Sequence, residues 1–305
     1  MKLIDEADLQ GLGALPPRGL ERGAAVTIGM FDGVHRGHRH VLATLRAHGD
    51  RLGVPTALVT FDPHPRALLR GSAHAPRLIS SLSDRLQLLA LTGAVDFAMV
   101  LRFDGARAAQ SAREFTEGTL LRQLRMKHLV VGENFACGQG RQGTVGFLAQ
   151  LGASSGFTVD PVPLATVPAS CVPSQHPPVR SSSTEARRLI ALGDLAGARA
   201  VLERAHELSC TVSRCAMGVD RSRVIEVKLP PTMCAPAAAD YVGEVRATGS
   251  GAAWTPALLR VGRQGQDTVH LVPVDSIEAR AGEQLRLRFL DRVARHDAHP
   301  DRTYL

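Results

Sequence analysis

Aromatic residues make up only 4% of this 305-residue chain. That is too few for the stacking platform that holds single-stranded nucleic acid. Lysine is scarcer still, standing only at positions 2, 127 and 228. No run approaches the ~18 apolar residues of a membrane-spanning helix, which excludes an integral membrane protein of that kind. Met1 to Gly13 carries acids and no apolar core segment, so no signal peptide is expected. The five cysteines, at 137, 171, 210, 215 and 234, are odd in number and form no C-x-x-C pair. This pattern predicts a reducing compartment, the cytoplasm, with neither a disulfide framework nor a zinc site. No repeat and no long low-complexity tract occurs. Hydrophobic residues at 44% and charged residues at 21% exclude a disordered or collagen-like chain.

What the chain does have is arginine, which supplies nearly all the cations behind a net charge of +7. The planar guanidinium fork suits phosphate, and a basic balance suits either nucleic acid or an anionic small substrate. No block of cations and no interleaved aromatic stripe occurs. A scattered surface distribution is therefore the commoner reading, and neither a nucleic acid nor a membrane partner is expected.

Up to about residue 190 the chain alternates strand-like and helix-like segments. Residues 24–28, 56–61, 97–101 and 128–131 read as strands, with a weaker fifth at 157–159. Between them, 38–48, 83–91, 112–124 and 145–151 carry helical patterns, the second opened by Ser83 with Asp84 in its first turn. Such alternation predicts an α/β domain with a mainly parallel sheet, whose ligands sit at the carboxyl ends of the strands. Residues 160–180 read as a loop, and Ser182-Ser183-Thr184-Glu185 opens a helix to about Leu192, followed by a short one from Gly193-Asp194-Leu195. From Leu208 the texture changes. Short runs at 208–215, 223–229, 241–246, 257–261, 268–272 and 284–290, separated by Gly, Pro, Asp and Ser, predict a small β-barrel or sandwich. The expected domains are residues 1–204 and 205–305.

One segment carries the chemistry. Gly29-Met30-Phe31-Asp32-Gly33-Val34-His35-Arg36-Gly37-His38 follows directly on a predicted strand and opens a predicted helix. Glycines let the backbone turn sharply and approach a ligand. A helix start offers N–H groups and the positive end of a dipole, which suits phosphate. His35 and His38, three apart, can both face that ligand. The segment lacks the lysine of a P-loop and the G-x-G-x-x-G of a dinucleotide fold. Two histidines at this spacing could also ligate a metal, but no third ligand of obvious spacing accompanies them.

His35-x-Gly37-His38 after a strand resembles the HxGH signature of the nucleotidyltransferase superfamily. The longer string GMFDGVHRGH resembles one branch of it, the bacterial FAD synthetases. Three further blocks are similar in order and spacing: Thr60-Phe61-Asp62-Pro63-His64-Pro65, Val131-Gly132-Glu133-Asn134-Phe135, and Arg180 with Ser182-Ser183-Thr184-x-x-Arg187 before Gly193-Asp194-Leu195. The resemblance covers about residues 20–205. It implies a Rossmann-like nucleotidyltransferase domain followed by a barrel like that of riboflavin kinase. It also implies transfer of AMP from ATP to FMN with loss of pyrophosphate. His35, His38 and Arg187 would then be catalytic, and Gly29, Phe31, Asp32, Gly37, Arg180, Ser182, Ser183 and Thr184 would line the nucleotide phosphates. Phe61, Asp62, His64, Pro65, Asn134 and Phe135 would hold the flavin. Mg²⁺ is expected on the substrate phosphates, with no residue to name as its ligand. Asp32 would either orient the turn or join a magnesium shell.

The chain departs from that family in several places, among them His296 to Pro300, which stands where the resemblance implies a C-terminal helix. The kinase hallmark GR-x-x-G-x-PTAN is absent, and the corresponding stretch reads Asp220 to Leu229, DRSRVIEVKL. A barrel without riboflavin kinase activity is therefore expected. Ala136-Cys137 stands where the family usually has a second aromatic residue, which leaves room for another nucleotide or a modified flavin as substrate. A flavin-nucleotide-binding protein without catalysis is a further alternative, against which the intact His35, His38 and Arg187 weigh.

Overall fold

The computed structural model describes residues 1–4, 17–69, 71, 74–167, 180–217, 223–248, 252–262, 267–274 and 277–294. Cys171, Asp220 to Ser222 and the His296 to Pro300 segment lie outside them. The described residues form two compact units, Met1–Ser183 and Thr184–Leu305.

The first unit is built on six parallel strands: β1 (Lys2–Ile4), β2 (Ala24–Ile28), β3 (Thr56–Asp62), β4 (Phe97–Arg102), β5 (Met126–Gly132) and β8 (Thr158–Val162). Their order across the sheet is β1-β4-β3-β2-β5-β8, and every pairing between neighbours is parallel. Every residue of β2 is buried, as a strand covered on both faces requires. Its alternation divides the core. Ala24, Val26 and Ile28 face one apolar cluster with Phe115, Leu120 and Leu148. Ala25 faces the other with Leu42, Leu45 and Leu89. Truncating such a leucine to alanine costs about 2–5 kcal/mol.

The helices are α1 (Arg36–Leu52), α2 (Pro65–Leu69), α3 (Leu82–Leu91), α4 (Gly105–Ala109), α5 (Ala112–Phe115) and α6 (Val145–Ser155). Helix α1 ends on Gly53 in the left-handed region, the usual use of glycine at that position. Helix α3 starts before the expected Ser83. Its cap is Ser81, whose hydroxyl accepts from the Asp84 N–H at 3.0 Å, so the Ser at 81 and not that at 83 satisfies the free amide. The predicted helix at 112–124 begins as α5 with a capping box of Ser111 and Glu114. It then widens to a π-helix over Thr116–Gln123. Thr116 back-bonds to the Ala112 carbonyl at 2.7 Å, the kind of local competition that loosens a helix. A two-stranded ribbon, β6 (Ala136–Cys137) and β7 (Gly143–Thr144), follows β5.

The second unit holds α7 (Ser183–Leu192) from Thr184 onward, α8 (Leu195–Leu202), and a closed antiparallel barrel. Its strands are β9 (His206–Met217), β10 (Arg223–Lys228), β11 (Ala239–Ala247), β12 (Thr255–Val261), β13 (Thr268–Pro273) and β14 (Gln284–Arg292). Strand β9 pairs with both β10 and β14, which closes the ring. Inward positions alternate as a barrel demands: His206, Leu208, Cys210 and Val212 on β9, and Leu285, Leu287 and Phe289 on β14, are buried. The predicted architecture of a parallel-sheet domain followed by a small barrel is the observed one. The change from helix to barrel falls between Leu202 and His206, whereas the compact units divide in the first turn of α7. Among the described residues no helix is long and apolar enough to cross a membrane.

Candidate active site

Strand β2 lies between β3 and β5, and the chain leaves it toward β3 first and reaches β5 later. This is the switch point of an open parallel sheet, where the loops after neighbouring strands part and leave a crevice. Three of the sequence blocks follow these three adjacent strands: the HxGH segment after β2, the TFDPHP block at the end of β3, and the VGENF block at the end of β5. Because the strands are parallel, all three sit at the carboxyl edge of the sheet.

The turn from β2 into α1 is tightly constrained. Phe31 and Val34 have φ of 49° and 40°, and Gly33 has 77°. A β-branched residue in the left-handed region costs on the order of 1–3 kcal/mol and persists only where its surroundings fix it. Asp32 does much of the fixing. Its carboxylate is buried and accepts from the Ile79 N–H at 3.0 Å, the Ser80 N–H at 3.0 Å and the Ser80 hydroxyl at 3.1 Å. Ser80 Oγ in turn accepts from the Gly33 N–H at 3.0 Å. The Ser183 hydroxyl donates to the Asp32 carbonyl at 2.9 Å.

His35 caps α1. Its Nδ1 accepts from the His38 N–H at 3.3 Å, so the proton of the neutral ring sits on Nε2. The two imidazoles stack with centroids 3.6 Å apart, and the buried Phe31 ring lies 4.9 Å from that of His38. Phe31 thus supports the histidine pair from the core. Gly37 donates its N–H to Ser181 Oγ at 2.9 Å. A Cβ there would stand 2.9 Å from the Ser181 carbonyl and 3.1 Å from the His35 ring, which explains the glycine of the motif. The α1 start and the two stacked imidazoles therefore stand together at the carboxyl edge of the sheet, where such sheets take their ligands and where a helix start favours anionic oxygens.

At the end of β3, Phe61 is half-buried and packs edge-on against Phe103 at 5.7 Å. Asp62 is exposed and joined to Pro63 by a cis peptide bond. His64 Nδ1 accepts from the Arg66 N–H at 3.1 Å, and Pro65 starts α2. At the end of β5, Asn134 is exposed, and its carbonyl accepts from Arg141 at 3.3 Å. Phe135 and Cys137 each pack half-buried on the sheet core. Burial pushes the Cys137 thiol up to about 11, which makes it a small lining group and not a nucleophile.

These hydrogen bonds and strand ends bring together Gly29, Phe31, Asp32, His35, Gly37, His38, Phe61, Asp62, His64, Pro65, Asn134, Phe135 and Ser183. Ser182 is half-buried just before α7, and exposed Arg180 pairs by a backbone bridge with Thr166. Thr184 and Arg187 belong to the second unit. Ser181 and Ser80 were missed at the sequence level. Ser181 stood as the filler of the R-x-SST pattern, and Ser80 carried no pattern at all.

A second polar cluster lies against the other end of the sheet. His48 of α1, His128 of β5 and Asp160 of β8 offer ligand atoms within 4.8 Å of one another. The hydrogen bonds nevertheless describe a donor chain. Arg51 lies 2.6 Å from His48 Nδ1, and a guanidinium can only donate. His48 Nε2 therefore carries the proton and donates to Asp160 at 2.7 Å. The rings of His48 and His128 stack face to face at 3.8 Å, so their in-plane lone pairs run side by side. That arrangement is a hydrogen-bonded stack; it is not a metal cage, whose ligand lone pairs must converge.

The FAD synthetase family matches residues 18–176. The bifunctional riboflavin kinase/FMN adenylyltransferase of Escherichia coli K12 is 36% identical over 182 residues, 60% of this chain and 55% of its own length. Its counterpart in Pseudomonas fluorescens is 35% identical over 196 residues, 64% of this chain and 58% of its own length. The matched region thus spans little more than half of these curated relatives. Among solved structures, the macrolide-efflux protein from Streptococcus pneumoniae superposes with a TM-score of 0.75 at 20% identity, over 97% of this chain and 92% of its own. At that identity the likeness is one of fold.

Proposed function

The chain belongs to the FAD synthetase family, and from that premise we propose that it transfers the adenylyl group of ATP to FMN and releases pyrophosphate. The observation that carries this reading is the β2–α1 turn, with His35 and His38 stacked 3.6 Å apart at the helix start beside the crevice of the sheet. An FMN phosphate oxygen attacks the α-phosphorus of ATP in line, the bond to the bridging oxygen breaks, and the electron pair leaves on pyrophosphate. No covalent enzyme intermediate is needed. Catalysis is positioning plus neutralisation of developing charge.

In this reading His35 and His38 donate to the phosphate oxygens of ATP, and the glycines let the phosphates approach the backbone. Phe61, Asp62, His64, Pro65, Asn134 and Phe135 form the flavin side. Arg180, Ser182, Ser183, Thr184 and Arg187 serve the leaving phosphates, on the strength of the family pattern. Mg²⁺ would enter on the ATP phosphates. Both oxygens of the Asp32 carboxylate already accept hydrogen bonds in a buried setting. Asp32 therefore does not fit a metal ligand, and its part is to hold the turn.

Ala136 and Cys137 leave the flavin side without the family's second aromatic residue, which favours a modified flavin as a second acceptor to be tested. A panel of the four nucleoside triphosphates against riboflavin and FMN, read by product mass, decides. Formation of FAD from ATP and FMN supports the reading. A dinucleotide formed only with another nucleotide or flavin replaces its substrates, and no dinucleotide in any well overturns it.

A further inference from the structure

We propose that Arg85 is a positioning residue of the adenylyl transfer, a buried clamp that sets the ATP-holding turn against the flavin-holding strand end. The inference rests on the reading of the reaction given above. Arg85 lies on α3, outside every motif block, and is only 2% exposed. Its Nη1 donates to the Met30 carbonyl at 2.9 Å and its Nη2 to the Phe61 carbonyl at 3.2 Å. Met30 immediately precedes the strained Phe31–Val34 turn, and Phe61 lies within the TFDPHP block. One planar group therefore spans the two loops assigned to different substrates. The Thr60 hydroxyl adds a second bond to the same Met30 carbonyl at 3.3 Å.

The charge of Arg85 is otherwise hard to explain. Burial pushes its guanidinium down, and the carboxylates of Asp32 and Asp62 favour the charged form. One of these acids stands in each block. A buried cation without partners is costly, and a leucine would fill the same space. What a leucine cannot do is hold two carbonyls at a fixed separation, which the fork of an arginine does. The separation matters because the two blocks carry the two reactants. A misplacement of about 1 Å between reacting groups costs on the order of 10²-fold in rate.

The test is steady-state kinetics of Arg85→Lys and Arg85→Met with FMN and Mg-ATP. It is accompanied by flavin affinity from fluorescence quenching and by thermal unfolding to count folded enzyme. A lysine keeps the charge and reaches one carbonyl, so kcat per folded enzyme should fall ~10-fold in Arg85→Lys and ~10²-fold or more in Arg85→Met. Flavin affinity and the KM for ATP should stay within ~3-fold in both, because each half-site keeps its own contacts. Undiminished kcat in Arg85→Lys overturns the proposal. So does a loss that merely follows the folded fraction, and so does failure of both variants to fold, since each assigns Arg85 to stability alone. Wild-type protein that forms no dinucleotide in the same assay refutes the reaction itself, and the clamp with it.

Discussion

His38 follows the capping residue of α1 by three positions, and its ring is held between that of His35 and the buried Phe31. It sits at a loop–helix junction, so His38→Ala should leave the unfolding midpoint nearly unchanged. It should lower dinucleotide formation by ~10²-fold or more, the scale for losing a donor that acts on the transition state. Near-normal turnover in that variant would remove the histidine pair from the mechanism. Arg187 is the second residue to test. Arg187→Lys keeps the charge and loses the planar fork, so kcat should fall while flavin affinity stays constant. If flavin binding weakened and kcat held, Arg187 would serve the acceptor. The motif residues were legible because their types announce phosphate chemistry. Ser80, Ser181 and Arg85 were not, since each acts by a hydrogen bond to a residue distant in sequence, such as Gly33 from Ser80 and Met30 from Arg85.

At the scale of the element, a titration that bears on acid stability lies on β5. His128 is 5% exposed and is pushed down to about 4, by burial first and then by His48 and Arg51, with Asp160 opposing. A histidine in an unfolded chain titrates near 6.5. Between these values the unfolded chain binds the extra proton, so stability is fully present above about 6.5 and declines as the pH falls toward 4. The single group should therefore cost about 2 kcal/mol of stability between pH 7 and pH 5. Urea unfolding of the wild type and of His128→Gln at both pH values isolates it: the variant should lose about that much less. An equal loss in both proteins would show that β5 takes no part in the acid sensitivity. Strands were well predicted here because β2, β3, β4 and β5 are short apolar runs bounded by turns. The three-residue β1 was missed because it is too short to carry a pattern. The π-helical widening at Thr116–Gln123 was missed because it arises from local hydrogen bonding, such as Thr116 to Ala112, which hydrophobic periodicity does not record.

For the whole molecule, short strand-like runs separated by Gly, Pro, Asp and Ser made the barrel legible, and the alternation of buried and exposed positions along its strands bears on its chemistry. Of the stretch that stands where the family keeps its kinase loop, Arg223–Lys228 is strand β10, with Ile225 and Val227 fully buried and Glu226 bonded to Ser213 at 2.8 Å. A strand paired on both sides offers no backbone cradle for phosphates, which phosphoryl transfer requires. We therefore expect the protein to form no FMN from riboflavin and Mg-ATP, and FMN produced at a rate comparable to the adenylyl transfer would reveal a kinase site elsewhere in the barrel.

The most direct measurement of the central claim follows both products of one reaction. The protein is given FMN and Mg-ATP labelled at the α-phosphorus, and the dinucleotide and pyrophosphate are quantified over time. The account predicts label in a flavin dinucleotide, one pyrophosphate released for each, and loss of both in His38→Ala. Label that stays in ATP, or that appears in AMP without a flavin dinucleotide, would contradict it.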